Sequence, residues 1–154
     1  MSTSSPTREL ETEFPKAVQS VDRDDDSHHT VTLTDRDRLV DALTFLMERN
    51  VSHLVTISGV DTGEEIDVLY HLVRHAEDGD SDESLTVTLA MSVPRDDPEI
   101  RTITDLMPGA SMYERELMDM LGIEVLDHPN PKRFLLPDDW EGGSPLRVED
   151  GGGD

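Results

Sequence analysis

Residues 114–123 read Glu-Arg-Glu-Leu-Met-Asp-Met-Leu-Gly-Ile, so four charged and five apolar residues share ten positions. Ser111 precedes Glu114 at the spacing of a helix capping box, and Gly122 is a residue type that often ends a helix. The pattern predicts a helix of about eleven residues. Its apolar face is predicted to contain Tyr113, Leu117, Met120 and Leu121.

The charges of this helix do not form a catalytic arrangement. Glu114 and Glu116 are separated by one residue and point to different sides, so they are not the paired carboxylates of acid–base catalysis. Arg115 can pair with Asp119 one helical turn later, which is worth about 0.3–0.5 kcal/mol when exposed. The sequence also lacks a glycine-rich phosphate loop, a nucleophile elbow and a zinc-protease motif. The charged face is therefore either a solvated surface or a contact for a partner.

The apolar pattern upstream predicts a mixture of strands and helices. Strands are predicted at 30–34, 51–60, 66–73 and 85–93, and an amphipathic helix at 35–50. Thr34 and Asp37 resemble a capping box for that helix, 61–63 fits a tight turn, and 77–84 a solvated loop. A short helix is predicted after Pro98, with apolar positions at Ile100, Ile103 and Leu106 or Met107.

The C-terminal part combines prolines with large apolar side chains. Prolines at 129, 131, 137 and 145 break helices and central strands. An extended segment cannot bury its own apolar side chains, so these are expected to lie against a partner: Phe134, Leu135, Leu136, Trp140 and Leu146.

These patterns predict an α/β (α+β) fold, with a small mixed sheet of about four strands, packed helices and an extended proline-rich C-terminal tail. The predicted organisation is a disordered acidic lead at 1–28, the α/β domain at 29–123, an extended partner-binding tail at 124–148 and a flexible end at 149–154.

Composition limits the classes of function. The chain has 35 acidic and 13 basic residues and a formal charge of −22, which disfavours nucleic acid as a partner. The acidic excess is spread over the whole length, as in proteins adapted to a salt-rich cytoplasm; an acidic face for a basic partner is the alternative. The absence of cysteine excludes disulfides and cysteine ligation of iron–sulfur clusters by this chain. No apolar run suggests a membrane span or signal peptide, so a cytoplasmic protein is expected.

The histidines do not predict a metal site. His71 and His75 have the spacing of helical metal ligands, but they lie in a predicted strand, where that spacing spans about 13 Å. His128, which precedes Pro129, is interpreted as a hydrogen-bonding anchor for a turn.

The helix at 114–123, together with His-Pro-Asn-Pro-Lys-Arg-Phe-Leu-Leu-Pro-Asp-Asp-Trp at 128–140, resembles the signature of the 30-kilodalton subunit family of respiratory complex I. That family includes the corresponding subunit of membrane-bound energy-converting NiFe hydrogenases. The similarity extends over roughly residues 30–147. Three departures are Asp127, where the family commonly has glycine, Phe134, where an aliphatic residue is usual, and Met112, where it often has tryptophan.

The resemblance implies a non-catalytic assembly subunit of the hydrophilic arm, peripheral at the cytoplasmic face of the membrane. Its implied partners are the large NiFe-hydrogenase-like subunit and the small iron–sulfur subunit. No cofactor is expected on this chain; iron–sulfur clusters and a quinone site or NiFe centre are expected in the partners. The implied partner-binding residues are Glu114, Arg115, Glu116, Asp119, His128, Arg133, Phe134, Leu136, Asp138, Asp139 and Trp140.

Two alternatives remain open from the sequence. One is the equivalent subunit of an energy-converting hydrogenase or antiporter-linked complex. The other is a free-standing acidic binding module.

Overall fold

The computed structural model describes residues 6–25, 27–74 and 85–129. The predicted loop at 77–84, the tail beyond residue 129 and the predicted flexible end at 149–154 lie outside these residues. The elements, in chain order, are α1 (Pro6–Glu13), β1 (Val18–Asp25), β2 (His28–Leu33), a 3-10 turn (Arg36–Arg38), α2 (Leu39–Met47), β3 (His53–Asp61), β4 (Glu65–Arg74), β5 (Leu85–Pro94), β6 (Glu99–Arg101), α3 (Ala110–Leu121) and β7 (Glu124–Leu126).

The first five strands form one mixed sheet in the order β1-β2-β5-β4-β3. Strand β1 is antiparallel to β2, whereas β2 is parallel to β5, with Val31 opposite Leu89. Strands β6 and β7 form a separate parallel pair. The α+β class with a mixed sheet is confirmed, and the sheet has one strand more than predicted because the polar sequence of β1 carries no strand pattern.

The chain divides into two compact units, and three strands pass from one unit to the other. The first unit contains residues 1–56 and 69–91; the second contains 57–68 and 92–154. In the first unit, the alternation of β2 buries Val31 and Leu33, and α2 buries Leu39, Leu43 and Leu46. The predicted amphipathic helix at 35–50 is therefore present, shortened to nine residues after a 3-10 turn.

In the second unit, α3 lies close to the backbone of β3 at Gly59. A Cβ at this position would collide with the Leu121 Cδ1 atom and come within 3.1 Å of the Leu117 Cδ2 atom. Glycine is required here because it lets the helix approach the strand closely. The apolar face predicted for this helix is confirmed at Leu117 and Leu121, whereas Tyr113 and Met120 are only partly buried.

The N-terminal lead differs from the predicted disorder over residues 6–25. Helix α1 buries Leu10 completely, and Phe14 stands edge-on to Phe45 of α2 with ring centroids 5.6 Å apart. Arg49 lies over the Phe45 ring at 3.5 Å and donates to Glu9 at 2.6 Å. The polar composition suggested disorder, but the acidic side chains occupy the exposed side of a short amphipathic helix.

The helix predicted at 35–50 does not begin with the predicted capping box of Thr34 and Asp37. Asp35, rather than Thr34, caps the 3-10 turn, since its carboxylate accepts a hydrogen bond from the Asp37 amide at 2.9 Å. The Thr34 hydroxyl instead donates to the Lys16 carbonyl at 2.9 Å. Local spacing cannot indicate this partner, because Lys16 lies in the lead that the composition predicts to be disordered.

The helix predicted after Pro98 is wrong. Residues 99–101 form β6, in which Ile100 pairs with Val125, and the Glu124 amide donates to the Pro98 carbonyl at 2.8 Å. Ile100 and Ile103 are buried as their pattern required, but Ile100 lies in β6 and Ile103 in the loop that follows it. Hydrogen bonds from a segment more than twenty residues away overrode the local helical pattern.

One partly buried histidine in the first unit, His71, makes the stability of that unit depend on pH. The His71 ring lies within 3.1 Å of the Thr88 hydroxyl, and burial, with a smaller effect of nearby His28, lowers the pKa of His71. The folded form therefore disfavours protonated His71. This contribution to stability is present above the ordinary histidine pKa and is lost as pH falls through that range.

We expect Gly59→Ala to lower the free energy of unfolding by about 1–3 kcal/mol, because the added methyl group displaces Leu121 and Leu117. Gly109→Ala is the matched control, since nothing lies within 4 Å of a Cβ there. Urea denaturation of both variants measures the difference. Equal losses would show that α3 does not pack this closely on β3.

We expect His71→Gln to weaken the loss of stability between pH 7.5 and about 5.5, because the variant has no imidazole to protonate. His53→Gln is the control, as His53 is exposed on β3. Thermal unfolding at several pH values and constant salt measures the effect. A wild-type pH profile in His71→Gln would contradict the assignment.

Candidate functional site

Helix α3, which overlaps the predicted helix at 114–123 and is called the signature helix below, carries a buried carboxylate. The Glu114 side chain is fully buried, and Glu114 accepts hydrogen bonds from the Thr102 hydroxyl at 2.7 Å and the Ile103 amide at 2.8 Å. Both donors lie in the loop that follows β6. The capping box predicted for Ser111 and Glu114 is wrong: Gly109 is the N-cap and has no side-chain hydrogen bond. The carboxylate instead fixes the loop after β6 on α3.

Thr102 extends this network in two directions. Its hydroxyl proton is used for Glu114, so the Thr104 hydroxyl, 2.9 Å away, must be the donor between the two threonines. The Thr102 amide donates to the Leu126 carbonyl at 3.0 Å. One residue therefore connects the buried carboxylate with the end of β7.

His128 closes the network from the opposite side. Its side chain is fully buried, and Nε2 lies 3.1 Å from the Ser111 carbonyl oxygen and 3.7 Å from the Glu114 carboxylate. Since a carbonyl oxygen only accepts, Nε2 carries the proton and donates. His128 was predicted to anchor a turn by hydrogen bonding, and this role is confirmed.

Burial raises the pKa of the Glu114 carboxyl above its ordinary value. The Thr102 hydroxyl, the Ile103 amide and nearby His128 oppose this effect but do not cancel it. The distance of 3.7 Å to Nε2 is too long for a strong hydrogen bond. The Glu114 carboxylate therefore accepts two short hydrogen bonds from neutral donors, whereas its contact with the His128 ring is long.

The outer face of α3 has a different character. Glu116 is exposed, in agreement with the prediction that it and Glu114 point to different sides. Arg115 is partly exposed, whereas Asp119 is 5% exposed, so the predicted charged face is only partly on the surface. Met112 is 54% exposed and Leu126 38% exposed. The signature helix thus has a buried polar side and a mixed exposed side.

Asp127 has the backbone conformation of a glycine. Its φ of 64° lies in the left-handed region, which disfavours residues with a Cβ but which aspartate tolerates better than most. The exposed carboxylate lies 3.4 Å from Arg101 across the β6–β7 pair. Glycine, which the resemblance implies at this position, adopts this conformation without that cost.

A second buried charge lies at the end of β3. Asp61 is bound through both carboxylate oxygens to Arg95, at 2.8 and 3.0 Å, and also accepts from the Gly63 amide at 2.9 Å. The tight turn predicted at 61–63 is present, with Gly63 at a φ of 92°. The sequence interpretation missed this ion pair and the roles of Thr102 and Ser111. The partners in these contacts are distant in the chain, and the residues belong to no recognisable motif.

The remaining candidate residues lie outside the described residues: Arg133, Phe134, Leu136, Asp138, Asp139 and Trp140. Within the described ranges, no three metal-ligating side chains come together. The helices described there are too short or too polar to cross a membrane. A cavity of about 330 Å³ lies in the first unit, lined by Arg8, Glu9, Thr12, Glu13, Phe45 and Arg49, and contains no signature residue.

We expect Asp127→Gly to be more stable than Asp127→Ala by about 1 kcal/mol, because both lose the surface contact with Arg101 but only alanine is strained at a positive φ. Thermal unfolding of the two variants measures the difference. Equal stabilities would indicate that the left-handed conformation is absent in solution.

The comparisons with known proteins agree on one family. The family model described as the 30 Kd subunit of respiratory-chain NADH dehydrogenase matches residues 32–151. An NADH-quinone oxidoreductase subunit of Roseiflexus sp. (strain RS-1) is 37% identical over 119 residues, covering 73% of this chain and 64% of the relative. An F(420)H(2) dehydrogenase subunit of Methanosarcina mazei is 35% identical over 99 residues, covering 63% of this chain and 59% of the relative. The chain thus matches less than two thirds of the length of these relatives.

Two solved structures share the fold. A trypsin-resistant fragment (1-134) of Nqo5 superposes with a TM-score of 0.67 at 27% identity, covering 80% of this chain and 97% of the fragment. A chain of the membrane-bound sulfane sulfur reductase, an archaeal respiratory membrane complex, gives a TM-score of 0.73 at 21% identity, covering 86% of this chain and 75% of that one. The buried signature helix, the mixed sheet and the family match lead to one conclusion: the chain belongs to the family of the 30-kilodalton subunit of respiratory-chain NADH dehydrogenase.

Proposed function

We propose that this chain is a non-catalytic assembly subunit of a complex I-like oxidoreductase that reduces quinone with NADH or another donor. It docks on the large NiFe-hydrogenase-like subunit of the hydrophilic arm, beside the small iron–sulfur subunit. It lies at the cytoplasmic face of the membrane, and the iron–sulfur clusters and quinone site belong to its partners. The names of the relatives and the family match support this assignment.

One observation carries the proposal: Glu114 of α3 and His128 after β7 are held by hydrogen bonds to neighbouring residues of the same unit. Glu114 and His128 are tied to Thr102, Ile103 and Ser111 within the second unit. A catalytic acid or base must reach the proton that it transfers, but both of these side chains are fully buried. Their chemistry holds the loop after β6 and the end of β7 on the helix.

In this proposal, the exposed residues of the segment that resembles the family signature contact the large subunit. Glu116 and Met112 lie on the surface of α3, and Leu126 lies on the surface of β7. In the sequence, Pro129 is followed by the apolar and proline-rich segment that was predicted to bind a partner. Large apolar anchors of this kind, with Trp140 the foremost, carry much of the binding energy in protein interfaces.

A second candidate is the same subunit position in a complex with a different electron donor. The similarity to the F(420)H(2) dehydrogenase subunit favours it, because this relative is nearly as similar as the NADH-quinone oxidoreductase subunit. The donor is set by other subunits, so identifying the proteins that accompany this chain separates the two candidates.

We expect Trp140→Ala to weaken binding to the large subunit by about 30-fold or more, because loss of a central aromatic anchor costs about 2 kcal/mol or more. The melting temperature of the isolated chain should change little. Tagged variants are purified from native membranes in mild detergent, and the co-purified subunits are identified and quantified.

Val55→Ala is the matched control, since it removes an apolar side chain that is 45% exposed in the first unit. It should leave co-purification unchanged. Recovery of the wild-type chain alone would contradict the assembly role and favour a free-standing binding module. Equal losses of stability and binding in Trp140→Ala would place this side chain in the core of its own domain.

A further inference from the structure

Strand β3 forms one edge of the five-stranded sheet. In the order β1-β2-β5-β4-β3, it has β4 on its inner side, and no strand of the described residues lies on its outer side. Residues 57–61 of β3, Ile-Ser-Gly-Val-Asp, belong to the second unit and are called the open edge below. An edge of this kind can pair with a strand from another chain.

The backbone groups that face outward follow from the hairpin that joins β3 to β4. The Thr62 amide donates to the Glu65 carbonyl at 2.9 Å. In an antiparallel pair every second residue makes such bonds across the pair, so the Val60 amide faces β4. By the same alternation, the amides and carbonyls of Ile57 and Gly59 face outward. The open edge therefore presents donors and acceptors at the spacing of a β-ladder.

The open edge lacks the features that normally prevent sheet edges from pairing. Such features are outward-pointing charges, prolines and bulges. From Ile57 to Val60 the sequence has no charged residue and no proline, although 31% of the chain is charged. The Asp61 side chain is fully buried and bound to Arg95. Val60 is 53% exposed, so it offers an apolar side chain to a partner.

The other edge of the sheet, β1 in the first unit, has these protective features. Asp22 and Arg23 are exposed on this strand. Its pairing with β2 is irregular between Val18 and Ser20 and again between Arg23 and Asp25. Charges and irregular pairing both oppose the addition of a further strand. The protection of β1 makes the unprotected open edge the better candidate for pairing.

The open edge is also ordered before any partner binds. At its end, Asp61 is bound through both carboxylate oxygens to Arg95 and accepts from the Gly63 amide. In its middle, Gly59 lies so close to Leu121 of α3 that a Cβ would collide with it. A strand that is already fixed loses little conformational entropy when another strand pairs with it.

The charge around the open edge indicates the chemistry of the partner. Glu64 and Glu65 are exposed in the turn that follows the open edge. The chain as a whole has a formal charge of −22, so a second copy is repelled and a basic segment is attracted. The uncharged residues of the open edge match an uncharged stretch of the partner, because pairing would desolvate a charge placed there.

We propose that the open edge binds an extended segment of a partner protein by antiparallel β-strand addition. The segment is uncharged opposite residues 57–61 and carries lysine or arginine at its amino-terminal end, which the antiparallel arrangement brings to Glu64 and Glu65. Backbone hydrogen bonds to Ile57 and Gly59 supply affinity, and the basic residues fix the direction of the segment. The inference rests on the proposed function for the presence of a partner, and adds a contact that the proposed function does not assign.

The test uses the isolated full-length chain and a synthetic peptide, with amide exchange measured by NMR at low salt. The peptide is acetyl-Lys-Lys-Val-Thr-Val-Thr-Val-amide, whose lysines stand at the end expected to meet the acidic turn. Two control peptides carry N-methyl groups, one on its valines and the other on its threonines. Each control loses the hydrogen-bond donors of one side of the strand and keeps its charge.

We expect the peptide to bind with a Kd of about 1 mM, so that about 5 mM peptide slows exchange of the Ile57 and Gly59 amides about sixfold. The Val60 amide should change little, because it already faces β4. Only one of the two N-methylated peptides should lose this effect, since only one side of the added strand faces the open edge.

The double variant Glu64→Gln with Glu65→Gln should weaken binding about three- to fivefold at low salt, because two exposed ion pairs are lost. Glu116→Gln is the matched control, since it removes an exposed charge from α3. All three side chains are exposed, so the variants are expected to fold. Equal binding by the double variant and the control would overturn the basic character of the partner.

Absence of protection at about 5 mM peptide, or equal protection by all three peptides, would overturn strand addition. Dimerisation of the chain alone, measured by analytical ultracentrifugation and accompanied by protection of the same amides, would overturn the choice of a partner protein in favour of a second copy. These measurements need no large subunit. Recovery of the chain alone from native membranes would therefore contradict the proposed function and leave the peptide result valid.

Discussion

The hydrogen bonds that the Glu114 carboxylate accepts inside the second unit are the interaction on which the rest of the site depends. A carboxylate removed from water is costly unless donors replace its hydration. Here the donors are the Thr102 hydroxyl and the Ile103 amide, which belong to a loop that makes no regular secondary structure. Because the loop satisfies the carboxylate, the carboxylate determines the path of the loop. The position of β7 depends on the same loop, because the Thr102 amide donates to the Leu126 carbonyl.

Two of the buried carboxylates of the second unit, Asp61 and Glu114, have different partners. Asp61 forms a bidentate ion pair with Arg95, which is the geometry expected of a structural contact. Glu114 accepts hydrogen bonds from two neutral donors, and the His128 ring lies 3.7 Å away. Burial therefore raises the pKa of the Glu114 carboxyl, although these neighbours oppose the shift. A carboxylate bonded to arginine on both oxygens holds its charge.

Sequence patterns were sufficient for the elements that bury one continuous apolar face. Strand β5 and helix α2 follow simple alternation or helical spacing, and Gly122 ends α3 in the left-handed conformation expected of a C-terminal glycine. The patterns failed where a distant segment supplied the hydrogen bonds. Ile100 has helical spacing with Ile103, but β7 draws it into a strand. Strand β1 is polar and is stabilised by its backbone pairing with β2.

The same limit applies to the candidate site: the resemblance identified Glu114 and His128 as important positions, but only the folded chain shows that they face each other in the interior. Thr102 could not have been found, because a single threonine before an isoleucine carries no motif.

The overall acidity of the chain affects how the proposed docking segment would hold a partner. With 35 acidic and 13 basic residues, a long-range attraction is available only to a strongly basic partner, and salt shortens its range to about 8 Å at physiological ionic strength. The described arginines are largely used within the chain: Arg95 binds Asp61, Arg49 binds Glu9, and Arg101 binds Asp127. Burial of apolar side chains is not screened by salt, and its strength increases with the area removed from water. In the proposed assembly, apolar anchors would therefore hold an acidic subunit to its partner even when salt screens its charges, provided that their burial exceeds the entropy lost when they are ordered.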